Sequence, residues 1–349
     1  LEIIQFTLIY QCSLGISTGK KTSVTRSNES SHLRTLLFAA KQITIDYSMI
    51  HRLFFPVLFF FDAVMLARVV FLLRHTDKNK LSILYKHPNC SISQTMPSNI
   101  QITPRFSSER GHADHGWLNS FHTWSFASYY DPKFSNGFGS LRVLNEDRVE
   151  PSNGFGTHPH REYEIFSYIV DGELQHKDSM GNTEIIRRDE VQFTSAGTGI
   201  QHSEYNANKS LWVHFIQIWV KPNQSNLKPS YTTKKWSDND KLNKLCLIID
   251  DISNGNQKAI SIHAPVSMYA SILQSNQSIK HSFQRSKGYL HLIMRSGLKA
   301  SNVAKIRLGN DVVLQEGDGA FINTNEINSE LVIENIGSVN AEFLLFDLE

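Results

Sequence analysis

Short runs of apolar and β-branched residues, each followed by a turn, dominate the chain after residue 100. Four of them are EIFSYIV at 164–170, LWVHFIQIWV at 211–220, YLHLIM at 289–294 and EFLLFD at 342–347. No long stretch after residue 100 has the 3.6-residue apolar period of a helix. Many short strands separated by Gly, Asn and Asp turns are typical of antiparallel sandwiches and barrels, so we predict an all-β fold.

The chain divides into two strand-rich halves. Its 349 residues are enough for about two domains, and a polar stretch at residues 223–240 connects the halves. Two pairs of segments repeat the same strand-and-turn pattern in both halves: 162–172 with 287–297, and 187–197 with 314–324. We therefore predict a duplicated barrel, with a first domain at residues 98–232 and a second at 233–349.

Residues 1–97 lack the regular succession of short apolar runs and turns, and we assign them no role. Their apolar stretch at 53–73 is long enough for a membrane span, but Asp62 and Arg68 each cost ~2.5–3.5 kcal/mol at a helix centre. We expect a poorly ordered extension, and the sequence leaves a membrane anchor or an organelle transit peptide open as alternatives. The functional protein is expected to start near Met96.

Charge and cysteine content exclude several classes of function. The net charge is +2 overall, yet residues 101–349 carry 24 basic and 28 acidic side chains. A mildly acidic globular part has no basic surface for phosphate backbones, so we expect no direct nucleic-acid binding. Cys12, Cys90 and Cys246 are scattered and odd in number, which favours a reducing compartment without disulfides. We therefore expect a cytoplasmic protein, with the nucleus as an alternative.

Two pairs of residues at strand spacing indicate a metal site. His158 and His160 are two apart in GFGTHPHREYE, and His202 and Glu204 repeat that spacing in GTGIQHSEYN. Side chains two apart on a strand leave from the same face, so both pairs can reach one ion inside a barrel. Three imidazoles and a carboxylate suit a divalent first-row metal. Glu164, four residues after His160, competes with Glu204 as the carboxylate ligand. The alternative interpretation is that the histidines of both pairs lie on the surface, in loops beside glycines.

Other histidines fit structural roles better. The spacings of His112, His115 and His122 do not keep one face of a strand, so we expect them to pack the first barrel. His176 lies with Asp178 at a predicted hairpin turn, which we expect them to stabilise. In the second half, His281 and His291 lack a partner at ligand spacing, and His214 shares a strand face with Ile216 and Ile218. We expect a buried core position for His214 and no metal in the second barrel.

Several longer motifs together resemble one family. RGHADHGWLNSFHTWSFASYYDPKF at 110–134, GFGTHPHREYEI, HKDSMGN, SAGTGIQHSEYN and the closing LLFDL are similar to the pirin family of bicupins, and most similar to its bacterial-type quercetin 2,3-dioxygenase branch. This resemblance implies two cupin barrels in tandem with one metal in the first. It places the ligands on His158, His160, His202 and Glu204, and makes Glu164 a residue of the pocket or of the second layer around the ion.

The resemblance implies one of two functions. The first is a metal-dependent dioxygenase that cleaves a flavonol such as quercetin with dioxygen, in which Glu204 takes the proton of the substrate hydroxyl. The second is an iron-binding, redox-sensitive transcriptional cofactor that acts on a protein partner. A cavity open to solvent beside the metal favours the enzyme. We expect a monomer with one ion per chain, iron(II) first, while nickel, copper, cobalt and manganese also suit this ligand set.

Overall fold

A computed structural model of the protein describes residues 99–297 and 300–349. The predictions for residues 1–97, including the apolar stretch at 53–73, lie outside the described residues. Within the described part, no helix is long and apolar enough to cross a membrane. Its helical elements are single turns: three 3-10 turns at Ser107–Glu109, Pro132–Phe134 and Ile252–Asn254, and the α-helix α1 at Asp238–Lys241.

Twelve strands lie between residues 99 and 235. They are β1 (Ile100–Arg105), β2 (Gly111–Asp114), β3 (Leu118–His122), β4 (Leu141–Val149), β5 (Gly154–His160), β6 (Glu164–Asp171), β7 (Glu173–Asp178), β8 (Thr183–Arg187), β9 (Glu190–Ser195), β10 (Ile200–Asn206), β11 (Val213–Val220) and β12 (Ser230–Lys235). Eleven of them build the first barrel. A seven-stranded sheet in the order β12-β9-β6-β11-β4-β3-β2 faces a four-stranded sheet in the order β5-β10-β7-β8.

Ten further strands follow. They are β13 (Cys246–Asp251), β14 (Ile260–Ile262), β15 (Val266–Leu273), β16 (Ser278–Ser282), β17 (Lys287–Leu292), β18 (Lys305–Leu308), β19 (Val312–Gln315), β20 (Gly319–Thr324), β21 (Glu330–Asn335) and β22 (Ala341–Leu348). The second barrel pairs a seven-stranded sheet, β1-β20-β17-β22-β15-β13-β14, with a four-stranded sheet, β16-β21-β18-β19. The two barrels share this seven-plus-four plan, which confirms the predicted all-β duplication.

Sheet membership departs from the predicted ranges at both ends of the first barrel. Strand β1 pairs antiparallel with β20 along its whole length, so the first strand of the described chain belongs to the second barrel. Strand β12 remains paired with β9 as far as Lys235, three residues past the predicted boundary at 232. Local sequence marks β1 as a strand, but its partner lies more than 200 residues away and leaves no local signal.

Two large sheets pack against each other and join the barrels. One apolar cluster contains Phe166 and Ile216 from the first barrel together with Met268 and Phe346 from the second. Strands β6 and β11 are buried on both faces because one face lines the barrel interior and the other meets the second barrel. This explains why EIFSYIV and LWVHFIQIWV carry apolar residues on both faces rather than only at alternate positions.

The two barrel interiors differ in content. Fifteen buried apolar side chains fill the second interior, including Phe283, Leu292 and Phe343. The corresponding cluster of the first barrel has seven members, including Ile169 and Phe215. Buried polar side chains, among them Ser167, His202 and Glu204, occupy part of the first interior. Beside the larger apolar cluster of the second barrel, His281 and Asp347 form a buried pair with 3.2 Å between Nε2 and the carboxylate.

Candidate metal centre

Strands β5 and β10 place the predicted site in the four-stranded sheet of the first barrel. The two strands are antiparallel neighbours, and their register sets His202 directly opposite His158. Ser203 and Tyr205 are more exposed than His202 and Glu204, which are 1% and 2% exposed. The residues at spacing two therefore share the inward face, as the alternation of a strand requires.

Three histidines converge at this point. A ring nitrogen from each of His158, His160 and His202 lies within 4.8 Å of the other two. The Nε2 atoms of His158 and His202 are 3.2 Å apart, and the buried Nε2 of His160 has no hydrogen-bond partner. A buried polar atom without a partner is costly, whereas a shared cation would satisfy all three nitrogens at once. The donor set therefore fits a divalent transition metal.

Hydrogen bonding and burial prepare these imidazoles as ligands. Nδ1 of His158 lies 2.7 Å from the carbonyl oxygen of Gly156. A carbonyl only accepts, so Nδ1 carries the hydrogen and Nε2 keeps its lone pair. Burial, helped by the neighbouring histidines, lowers the pKa of His160 to about 4 and that of His202 to about 3. Both rings are therefore neutral near pH 7, which is the form that binds metal.

Glu204 lies beside the cluster, but its carboxylate is held by two other side chains. Ser167 Oγ donates to Oε1 at 3.0 Å, and Gln217 Nε2 donates to Oε2 at 3.0 Å. The structure therefore brings together the three predicted histidines, while the fourth predicted ligand remains a prediction. Ser167 and Gln217 were not singled out from the sequence. The available signal was a polar residue among mostly apolar neighbours in EIFSYIV and VHFIQIWV, a signal that Glu164 and His214 in the same strands also give.

Glu164 has a partner outside the histidine cluster. Its buried carboxylate accepts from the backbone N–H and from Nδ1 of His263, each at 2.9 Å. Burial raises the pKa of Glu164, and the hydrogen bonds from His263 oppose that rise. On β6, Glu164 faces away from the barrel interior because the inward face belongs to alternate residues such as Ser167. Glu164 thus fastens the first barrel to the segment that precedes β15, and its role in the pocket stays a prediction.

The hairpin pair predicted at residues 176–178 has more than a turn role. Asp178 accepts from the backbone N–H groups of Met180 and Asn182, which confirms that it stabilises the turn. His176 is fully buried, and its ring centroid lies 5.2 Å from that of His202. Its Nε2 is 3.3 Å from the carboxylate of Asp178. His176 therefore packs behind a residue of the cluster and supports its position.

The histidines expected to pack the first barrel differ in burial. His122 is buried as expected, whereas His112 and His115 are exposed, and His112 stacks on Phe121 with ring centroids 4.4 Å apart. His214 is buried in β11, where Nε2 donates to Glu146 at 2.9 Å. The predicted core position of His214 is therefore confirmed.

A cleft that opens to solvent touches one histidine of the cluster, His160. Its volume is about 470 Å³, and its walls come from Pro159, His160, Arg161 and Ser179 together with the turn at 198–201. Small-molecule sites usually occupy ~300–1,000 Å³. A ligand in this cleft would contact the outer side of His160. Trp219 packs against the same imidazole, with ring centroids 4.8 Å apart.

The site and the two barrels match a known family. Residues 104–220 match the family described as Pirin, and residues 252–348 match the domain described as quercetinase C-terminal cupin domain. A protein of Escherichia coli O157:H7 named quercetin 2,3-dioxygenase is 35% identical over 245 residues, which is 70% of this chain and 97% of that protein. The chain belongs to the pirin family. The fold is accordingly that of two cupin domains.

Other relatives agree with this membership. A protein of Escherichia coli strain K12, also named quercetin 2,3-dioxygenase, is 40% identical over 202 residues, 56% of this pirin chain and 85% of that protein. The crystal structure of the bacterial pirin YhhW from Escherichia coli in complex with nickel(II) has a TM-score of 0.62 and 34% identity. That match covers 71% of this chain and 99% of YhhW. Residues 1–97 precede both family matches.

Proposed function

We propose that this pirin is a metal-dependent dioxygenase that cleaves a flavonol such as quercetin. The observation that carries the proposal is the convergence of the ring nitrogens of His158, His160 and His202 within 4.8 Å. An enzyme also needs substrate access to the ion, and we assign that route to the solvent-open cleft whose lining includes His160. The names of the similar Escherichia coli proteins support the choice of substrate class.

Four side chains are the proposed ligands of the ion. His158, His160 and His202 would hold the ion, with Glu204 as the fourth ligand. Iron(II) is our first expectation, and nickel(II) follows because the related YhhW was crystallised with it. When bound, such an ion lowers the pKa of an oxygen acid at its surface and brings dioxygen and substrate together.

Glu204 is the proposed general base. Its carboxylate is buried next to the cluster, and Ser167 and Gln217 orient both of its oxygens. A flavonol hydroxyl that reaches the ion from the cleft would give its proton to Glu204. Asp147 is a second buried acid inside the barrel. Burial and the charge of Glu204 raise the pKa of Asp147 to about 7, although the hydrogen bond from Ser120 lowers it.

Oxygen consumption and carbon monoxide release with quercetin test the proposal. At equal metal occupancy, Glu204→Gln should lower turnover by ~10²–10⁴-fold, as expected for loss of a positioned base. Glu164→Gln is the matched control, because that carboxylate binds His263 rather than the cluster. It should lower turnover much less. No quercetin oxidation by fully metallated protein would refute the enzymatic function and leave the redox-sensitive cofactor role.

A further inference from the structure

Each oxygen of the Glu204 carboxylate accepts a hydrogen bond from another side chain of the barrel. Glu204 is 2% exposed, and its two donors are Ser167 and Gln217. Ser167 comes from β6 and Gln217 from β11, two paired strands of the large sheet on which these two residues lie directly opposite each other. Both donors to Glu204 therefore lie on the sheet that faces the histidine strands.

The two partners can also satisfy each other. Ser167 Oγ lies 2.9 Å from Gln217 Oε1 as well as 3.0 Å from Glu204 Oε1. A hydroxyl has one hydrogen, so Ser167 donates to either the amide oxygen or the carboxylate at any moment. If the carboxylate moves away, the hydrogen of Ser167 turns to Gln217 and no hydroxyl donor is left without an acceptor. Departure of Glu204 therefore leaves only the amide N–H of Gln217 without its acceptor.

We propose that Ser167 and Gln217 are positioning residues that give Glu204 a second seat away from the metal. The proposal rests on the proposed metal centre, in which Glu204 is a ligand. The carboxylate alternates between the ion and the seat, which frees one ligand position for a substrate oxygen. Because the seat competes with the ion for the same carboxylate, it lowers the affinity of the protein for metal.

Loss of the seat should therefore tighten metal binding. When either donor is removed, one oxygen of the buried carboxylate is unsatisfied in the metal-free protein, and binding the ion removes that cost. We expect Ser167→Ala and Gln217→Met each to bind nickel(II) roughly tenfold more tightly than the unsubstituted protein, measured by calorimetric titration of the full chain. A purely structural role for these residues predicts the opposite sign, since loosening the site weakens binding.

Three control variants isolate the effect. Ser167→Thr keeps the hydroxyl and should retain the original affinity. Thr194→Val removes a buried hydroxyl from the same sheet whose partner is Gln192 rather than Glu204, and it should not tighten binding. In a Glu204→Gln background, Ser167→Ala should have no effect on nickel affinity, because the competing ligand is gone. Thermal unfolding of each variant checks that it is folded, and Gln217→Met serves if Ser167→Ala does not fold.

The outcomes separate this inference from the metal centre itself. Tighter binding in Ser167→Ala or Gln217→Met that disappears in the Glu204→Gln background supports the second seat. Unchanged or weaker binding in both, in protein whose nickel is lost on His158→Ala, overturns the second seat and leaves the metal centre standing. Nickel binding that survives His158→Ala overturns the metal centre and the seat with it.

Discussion

Removal of the carboxylate of Glu146 should strongly destabilise the protein. Glu146 lies in β4, is 0% exposed, and accepts from His214 Nε2 and His291 Nε2, each at 2.9 Å. It also accepts from the backbone N–H of Met294 at 2.8 Å and pairs with buried Arg110 at 3.4 Å. His291 and Met294 belong to the second barrel, so a single carboxylate links the two barrels. These hydrogen bonds hold the pKa of Glu146 well below its usual range, although burial opposes them.

The size of the effect follows from what the substitution leaves behind. Glu146→Ala leaves a buried guanidinium and three N–H donors without their acceptor, and breaking a buried ion pair in this way costs about 3–5 kcal/mol. The control is Glu334→Ala, which removes a carboxylate whose partner Arg307 lies 2.9 Å away in an ion pair on the surface. Exposed pairs contribute about 0–1 kcal/mol.

Equilibrium unfolding in urea measures both variants. The shared apolar core between the barrels predicts one cooperative transition, from which the free energy of unfolding is extrapolated. A loss below about 1 kcal/mol for Glu146→Ala, or a loss equal to that of Glu334→Ala, would refute the argument, since buried and exposed pairs differ by at least that amount.

Three further predictions concern the first barrel and its boundaries. A chain that begins at Met96 should fold and bind metal, because both barrels form after residue 99; aggregation of that chain alone in a solubility assay would contradict this. Gly154→Ala should lower metal content and thermal stability, since a Cβ there would lie 2.2 Å from the backbone oxygen of Glu204 and push β5 from β10. Metal-free protein should lose stability as the pH falls below 6.5, because the lowered pKa values of His160 and His202 mean that the unfolded chain binds protons first. A free energy of unfolding that stays flat from pH 7 to 4 would contradict this assignment.

The sequence predicts the histidine cluster better than its surroundings, for a physical reason. His158 and His160, like His202 and Glu204, are two residues apart, and strand alternation converts that spacing directly into a shared face. The seat of Glu204 depends instead on residues 37 positions before it and 13 positions after it, and only the pairing of β6 with β11 brings them together.

The fold shows the same limit. Apolar runs ended by turns predict strands correctly, but nothing within β1 indicates that it pairs with β20. The burial of Glu146 could not be predicted from the sequence either. A glutamate in LRVLNEDRV is expected to face solvent, and only the second barrel covers it. Local sequence determines which residues form strands and which faces they share, whereas pairing across the chain determines what those faces meet.

Metal content per chain tests the central claim most directly. Protein purified without added metal and then reconstituted with nickel(II) should contain close to one ion per chain by mass spectrometry. His158→Ala and His202→Ala should each lose most of that ion, while His115→Ala, an exposed histidine outside the cluster, should keep it. Two ions per chain, or full occupancy in both cluster variants, would contradict the account.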